Sequence, residues 1–459
     1  MLSEKIKNYI KKNFFLLIVI FNFFVASFFI VVFGDPSCIA IEGKCALDSD
    51  RYSYRLAETL FSYGQFSSFP NMDPYVEHPP LHALILAGTF FLVGYKTYIP
   101  ILIIHLFLNV LTGLFVRSIC NTIIGRFGMI AMCLYLFNPN VLAHANLIGS
   151  NSLPAFFISG AILSLLFYLR GRSLRSVLIC GLLLGLGTLI RPIVQPLIFV
   201  LPIAIIVLNM ISYGFASWLL SLKHALISFG VAIVVISPWA IYMNSHDYGY
   251  SISNPKHFRL LLLDSLTLLT SSGPWERNKK VKMDRYEIEE QKLSSTIPKW
   301  NELSEGKKER LRAKETLNYY LEFPFDKFNF FRALAVSWGR FIFSSGSGYI
   351  NIRLGISEDI NSRGAAFNAV YYLSHLYTII TQIFGLAGLI ILIRQQMYSQ
   401  FLLIVSPIFL IMATTLMVGL PRYRASVEPE FAVLAAIGLC IFFNLFRSKP
   451  LIKTESKLE

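Results

Sequence analysis

The sequence predicts an all-α fold: a polytopic transmembrane helical bundle with further helices in its extracytoplasmic loops. Two observations carry this. Hydrophobic residues make up 55% of the chain and charged residues only 15%, whereas a soluble domain carries about 25% charged residues. Apolar runs able to cross ~30 Å of hydrocarbon also alternate with short basic loops. The formal net charge of +14 follows from the same alternation, because Lys and Arg collect where loops face the cytoplasm and anionic lipid. A nucleic-acid partner would need a compact basic domain, and the sequence offers none. The lipid bilayer is the partner that composition names.

Lys5, Lys7, Lys11 and Lys12 precede the run Phe14–Phe33, which places the N-terminus in the cytoplasm. That run is too long for a signal-peptide core and lacks a small-residue cleavage site. Loop 34–79 therefore falls outside. Leu81–Gly94 is expected to return inward and Tyr98–Val116 to cross outward. The run 127–137 is too short to span and reads as a partial helix ending at Asn138-Pro139, which leaves Arg117 and Arg126 outside. Leu153–Leu169 goes inward to the basic RGRSLR at 170–175. Val177–Ile190, Ile193–Asn209 and Ala225–Tyr242 follow as alternating spans, and Leu373–Ile393, Phe401–Val418 and Phe431–Phe446 complete the set.

This gives about ten spans plus a partial helix in a multi-pass cell-membrane protein with both termini cytoplasmic. Three regions result: residues 1–243, with the first outer loop 34–79; a large extracytoplasmic region, 244–370; and 371–459, the last helices with a basic tail. Segment 276–316 mixes both charges and lacks the apolar periodicity of an independent core. It is expected to lie on the membrane domain.

Of six cysteines, Cys120, Cys133, Cys180 and Cys440 lie in apolar runs and read as small hydrophobic residues. Cys38 and Cys45 flank a short polar segment outside the membrane, where a disulfide and two free thiols are both open. No CxxC spacing suggests zinc.

The chemistry concentrates in 45–80, CALDSDRYSYRLAETLFSYGQFSSFPNMDPYVEHPP. Asp48 and Asp50 precede a stripe of Tyr52, Leu56 and Leu60 at helical spacing. The segment closes on His78-Pro-Pro, where proline fixes the start of the next apolar run. Each candidate has a plain structural reading. The acids could be N-caps, His78 a polar residue before a turn, Arg191 a snorkelling side chain, and Arg422 and Arg424 helix anchors. The parity of the spans nonetheless puts Asp48, His78, Asn151, Arg191, Trp239, Arg422 and Arg424 on one outer side. Arginine suits charge-assisted contact with phosphate, and a carboxylate can take a proton from a hydroxyl. A lipid-borne phospho-sugar fits such a face, with its tail in the bilayer. No metal and no cofactor is implied, since no ligand cluster exists beyond the Asp48/Asp50 pair.

At this point the sequence resembles the GT-C superfamily of integral-membrane glycosyltransferases that use polyprenyl-phosphate sugars, in the branch of protein O-mannosyltransferases and the lipid A aminoarabinose transferase. LDSDRYSYRLAETLFSYGQF is similar to the first-loop pattern of an acid followed by Tyr, Leu-Ala and Gly, which implies that Asp48 is the key acid. EHPPLHALILAGTFFLVG resembles the basic-Pro-Pro signature, with His78 at the basic position. GLLLGLGTLIRP resembles the glycine-rich helix that ends in Thr-x-Arg/Lys-Pro and maps Arg191; ISPWAIY resembles the Pro-Trp that opens the outer loop, and YLEFPFDKFNFF the segment near that loop's end. PRYRASVEPEFAVLAA resembles the pattern before the last helix and maps Arg422, Tyr423 and Arg424. Two positions depart from the pattern. GSNSLP carries Asn151 where a second acid is usual, and Tyr242-Met243 stands where Arg-Asn follows Pro-Trp.

The resemblance implies an inverting transfer of sugar from a polyprenyl-phosphate donor to a glycan, lipid or protein acceptor on the outer face. Asp48 would be the base and Asp50 the second choice. Tyr52, His78, Asn151, Arg191, Arg422, Tyr423 and Arg424 would contact substrate. The alternative is a transporter or flippase of a lipid-linked or anionic solute. Transporters show internal repeats and mid-bilayer ionisable residues, whereas this chain shows no repeat and carries its charges at outer helix ends.

Overall fold

The structure, a computed structural model, describes residues 15–25, 48–67, 78–94, 99–125, 127–145, 149–270, 275–322, 327–345, 365–415 and 421–442. Every regular element among them is helical. Helix α1 covers Phe15–Val25, α2 Asp48–Tyr63, α3 Leu81–Val93, α4 Ile99–Ile124, α5 Gly128–Leu136 and α6 Pro139–Ala145. Then come α7 Leu153–Gly171, α8 Leu174–Ile190, α9 Gln195–Tyr213 and α10 Trp218–Ser245. The region after α10 holds α11 Pro255–Thr270, α12 Trp275–Thr296, α13 Glu305–Glu322 and α14 Lys327–Phe343. The chain closes with α15 Ala365–Arg394, α16 Tyr398–Thr414, the single turn α17 Pro421–Arg424, and α18 Glu428–Phe442.

Among the described residues, five segments are long and apolar enough to cross a membrane: Pro100–Ile124, Leu153–Gly171, Pro192–Tyr213, Phe215–Ser245 and Tyr371–Arg394. Phe15–Val25, Leu81–Val93, Leu174–Ile190 and Tyr398–Thr414 are shorter apolar helices. With little hydrophobic drive between helices in lipid, close packing relies on small residues. A Cβ on Gly181 of α8 would meet the Ser228 carbonyl oxygen of α10 at 2.3 Å, and one on Gly438 of α18 would meet that of Phe384 in α15 at 1.9 Å. Both crossings therefore require glycine.

The structure corrects the path of α3 and α4. Arg170 at the end of α7 donates from Nη2 to the Thr122 carbonyl at 3.0 Å, so α4 and α7 finish at the same end of the bundle. Arg117 stacks over Phe15 of α1 at 5.4 Å, which joins the start of α1 to that end. At the other end, His82 in the first turn of α3 lies 5.5 Å from His105 in the second turn of α4. Phe90, near the close of α3, shares a buried cluster with Ile101 and Leu102 at the start of α4. Both ends of α3 thus lie by the opening turns of α4. Helix α4 runs the length of the bundle, and Leu81–Gly94, expected as an inward span, lies at one end of it. Thirteen residues rise only about 20 Å, short of the hydrocarbon thickness, whereas 26 residues rise about 39 Å. Arg117 accordingly belongs with the RGRSLR end, not with Arg191 as expected. Arg126, Cys38 and Cys45 lie outside the described residues.

Helices α11 to α13 build a core of their own, but a charged one. Leu262, Leu263, Leu266, Leu293 and Trp300 are buried beside Arg259, Glu289 and Glu309. Arg312 of α13 pairs with Glu290, Glu305 and Glu309 at 2.7–2.8 Å. Trp300 Nε1 donates to Glu290 Oε1 at 3.0 Å. The missing apolar periodicity reflects this substitution of ion pairs for aliphatic contacts.

Candidate anion-binding site

The glycine-rich α8 stops at Arg191, whose backbone is extended (φ −153°, ψ 128°) because the following Pro192 disfavours a helical residue before it. Arg191 Nη1 donates to Asn151 Oδ1 on the approach to α7, and its guanidinium lies 5.9 Å from the Tyr423 ring. The turn α17 brings Arg422 to 5.0 Å from the same ring, with Nη2 donating to the Tyr423 hydroxyl at 3.1 Å. His78 stacks on His257 of α11, centroids 4.5 Å apart and planes 21° apart. Burial first, then the positive neighbours His257, Arg191, Arg422 and Lys256, push the His78 imidazole down to about 3. Residues from the α2–α3 loop, α8, α11 and α17 therefore share one local field, and each named contribution to it is positive.

Five of the sequence candidates, His78, Asn151, Arg191, Arg422 and Tyr423, come together here. Arg424 sits elsewhere. Its side chain is fully buried, with Nε donating to Glu428 Oε1 at 2.6 Å and Nη1 to the Phe341 and Ile342 carbonyls at 2.8 and 2.7 Å. It caps the C-terminus of α14, where a cation meets the exposed carbonyls and the negative end of the helix dipole. Glu428 in turn accepts from Asn138 Nδ2 at 2.8 Å and Asn140 Nδ2 at 2.9 Å. This network ties the α5–α6 turn, α14 and α17 into one frame beneath Arg422.

Asp48 opens α2 and Asp50 and Tyr52 follow in its first two turns, but the side chains of all three lie outside the described residues. Tyr54 and Phe61 dock α2 on Phe90 of α3 at centroid distances of 5.7 and 6.1 Å. Among the described residues no group of three or more His, Cys, Asp or Glu could hold a metal ion. Sequence reasoning missed Lys256, His257, Glu428 and Glu430. Glu430, which accepts from Ser159 Oγ at 3.3 Å, and Glu428 had a usable signal in the EPE that opens an apolar run. SNPKH at 253–257 had only the marks of a helix start.

The family model for dolichyl-phosphate-mannose-protein mannosyltransferases matches residues 77–242, the segment that holds His78, Asn151 and Arg191. Among solved structures, the Archaeoglobus fulgidus oligosaccharyltransferase tethered to an acceptor peptide containing the NVT sequon superposes with a TM-score of 0.53 at 17% identity, over 95% of this chain and 50% of that one. The same organism's AglB, in complex with an inhibitory peptide and a dolichol-phosphate, gives 0.50 at 16% identity, over 98% and 53%. ArnT from Cupriavidus metallidurans bound to undecaprenyl phosphate gives 0.40 at 12% identity, over 92% and 77%. No curated protein sequence matches. The chain spans about half the length of the oligosaccharyltransferases. The resemblance is borne out to this extent: the mannosyltransferase family's sequence pattern is present over residues 77–242, and the fold is similar to that of the oligosaccharyltransferase structures.

Proposed function

We propose that the protein is a membrane glycosyltransferase that moves a sugar from a polyprenyl-phosphate donor to an acceptor on the outer face of the cell membrane. The observation that carries this is the convergence of Arg191 and Arg422 with Tyr423 and His78 at one end of an apolar helical bundle, where a lipid phosphate can meet two guanidinium groups while its chain stays in the bilayer. One similar structure, the Archaeoglobus fulgidus oligosaccharyltransferase AglB, is in complex with a dolichol-phosphate, which agrees with that ligand class.

In this reading the acceptor hydroxyl attacks the anomeric carbon from the side opposite the phosphate. The new C–O bond forms as the sugar–phosphate C–O bond breaks, which inverts the centre. The hydroxyl proton passes to the Asp48 carboxylate, with Asp50 as the second choice. The electron pair leaves on the lipid phosphate, stabilised by Arg191 and Arg422. Phosphate is a weakly basic leaving group and needs charge stabilisation more than a proton. Arg424 positions the Arg422 turn and does not itself reach the donor.

The test is release of radiolabelled sugar from a polyprenyl-phosphate donor in detergent, with no gradient applied. Wild type should transfer. Asp48→Asn should abolish transfer with expression intact, and Arg422→Gln should slow it by about 10²–10³. Undiminished turnover in Asp48→Asn removes that residue from the mechanism. Solute movement in vesicles without sugar release would favour the transporter.

A further inference from the structure

We propose that Arg172, at the turn from α7 to α8, binds the phosphate of an anionic phospholipid whose acyl chains lie along the exposed aromatic rim of the α9–α10 turn. The site stands at the end of the bundle opposite Arg191 and is independent of the donor reading.

The turn holds a guanidinium in a fixed place and leaves its binding edge unused. Arg172 takes φ 49° and ψ 30°, a left-handed conformation that residues with a Cβ seldom adopt. The preceding Gly171, for which that conformation costs little, stays in the helix. The Arg172 guanidinium carbon lies 3.5 Å from the centre of the Tyr213 ring, a cation–π contact. Tyr213 is itself held, its hydroxyl donating to the Leu169 carbonyl at 2.8 Å. The Tyr168 hydroxyl and His224 Nδ1 are 2.8 Å apart, and Asn209 Nδ2 donates to the same hydroxyl at 2.6 Å, so α7, α9 and α10 are tied together at this end. Arg172 Nε and Nη2 are both hidden from water and meet no acceptor. These two nitrogens form the edge of the guanidinium that grips a phosphate through two parallel hydrogen bonds, and a buried donor left unsatisfied is costly. Arg172 as a residue is partly exposed and Tyr213 beside it more so, which sets this edge just beneath the surface.

The helices that build this end supply no carboxylate. Residues 78–246 contain no Asp or Glu, and Arg170, Arg175 and Lys223 add to the positive charge of the same turns. An oxyanion from outside the chain is therefore the complementary partner. The surroundings select a lipid over free phosphate. Leu174, Tyr213, Phe215, Trp218 and Leu219 are each at least 40% exposed, and Phe215 stacks on Trp218 with centroids 6.4 Å apart. Exposed aromatic rings beside cations belong at the level of the headgroups, and basic pockets between helices suit anionic headgroups. The rim offers acyl chains an apolar surface that a free anion cannot use. A phospholipid seated there bridges the α7–α8 and α9–α10 turns and stabilises the folded bundle that binds it.

The experiment uses the full chain, stripped of lipid in detergent, with phosphatidylglycerol, phosphatidylcholine and inorganic phosphate as probes. Lipid retention by native mass spectrometry and melting temperature are read for wild type, Arg172→Gly, Arg172→Lys, Arg175→Gln and Arg191→Gln. Glycine suits the positive φ, so Arg172→Gly keeps the turn; Arg172→Lys keeps the charge without the two-pronged edge. In wild type, phosphatidylglycerol should be retained and raise the melting temperature, while phosphatidylcholine and inorganic phosphate should do neither. Arg172→Gly and Arg172→Lys should bind phosphatidylglycerol about tenfold more weakly, in the range of one lost charge-assisted contact. Arg175→Gln and Arg191→Gln should bind it as wild type does. Equal retention of phosphatidylcholine, equal stabilisation by inorganic phosphate, or wild-type affinity in either Arg172 variant overturns the proposal. Equal weakening in Arg175→Gln would show a diffuse positive field, and equal weakening in Arg191→Gln would move the lipid to the donor end; each of these also overturns it.

Discussion

Arg422 and Arg424 stand two places apart and do different work. Arg424 is a buried strut, and removing one member of a buried ion pair typically costs about 3–5 kcal/mol because the partner charge stays behind. Arg424→Ala should accordingly lower the melting temperature in detergent sharply, while Arg422→Gln should leave it close to wild type. Similar melting of the two variants would mean that the Arg424–Glu428 pair is not what holds the turn. His78 supplies a second residue-level expectation. Its folded pKa of about 3 lies below the unfolded 6.5, so between these values the unfolded chain binds a proton that the folded chain refuses. The neutral imidazole's contribution is complete above pH 6.5 and is lost as pH falls toward 3. Wild type should lose melting temperature relative to His78→Asn across that window, with no divergence above it. At this scale the sequence was informative about residue type and silent about burial. PRYR shows two arginines at one helix end, and only the packing of Phe341 and Glu428 separates the strut from the ligand. His257 belongs to the site through a stacking partner 179 positions earlier in the sequence, a relation that no local pattern encodes.

Among the elements, α3 is the instructive one. Its apolar composition reads as a span, because hydropathy registers lipid contact without registering direction. Its length and the pairs His82–His105 and Phe90 with Ile101 show a helix that stays at the Arg191 end of the bundle. This predicts that Val93→Cys and Asn244→Cys react with a membrane-impermeant thiol reagent from one side, and Ser173→Cys from the other. Labelling of Val93→Cys from the Ser173 side would restore α3 as a span. Helices α7 to α10 were legible nearly to their ends, because each apolar run is bounded by a basic loop, a proline or a glycine. The outer helices were not, because ion pairs such as Arg312 with Glu290 replaced the apolar stripe that marks a helical core.

Across the whole molecule, segments far apart in sequence deliver cations to one end of an apolar bundle. The chain order of His-Pro-Pro, Arg-Pro and Arg-Tyr-Arg anticipated much of that face. What order could not supply was the frame that fixes it: Glu428 binding Asn138, Asn140 and Arg424 at once, and the outer region resting on His78 through α11. Both are long-range contacts set by tertiary packing. The central claim is that this end of the bundle holds a lipid phosphate, and the most direct measurement is the density of the full-length protein determined with a polyprenyl monophosphate bound. The account predicts the phosphorus within hydrogen-bonding reach of the Arg191 and Arg422 guanidiniums, with the chain descending along the apolar helices. A phosphate lodged instead at the opposite end, beside Arg170 and Arg175, would contradict it.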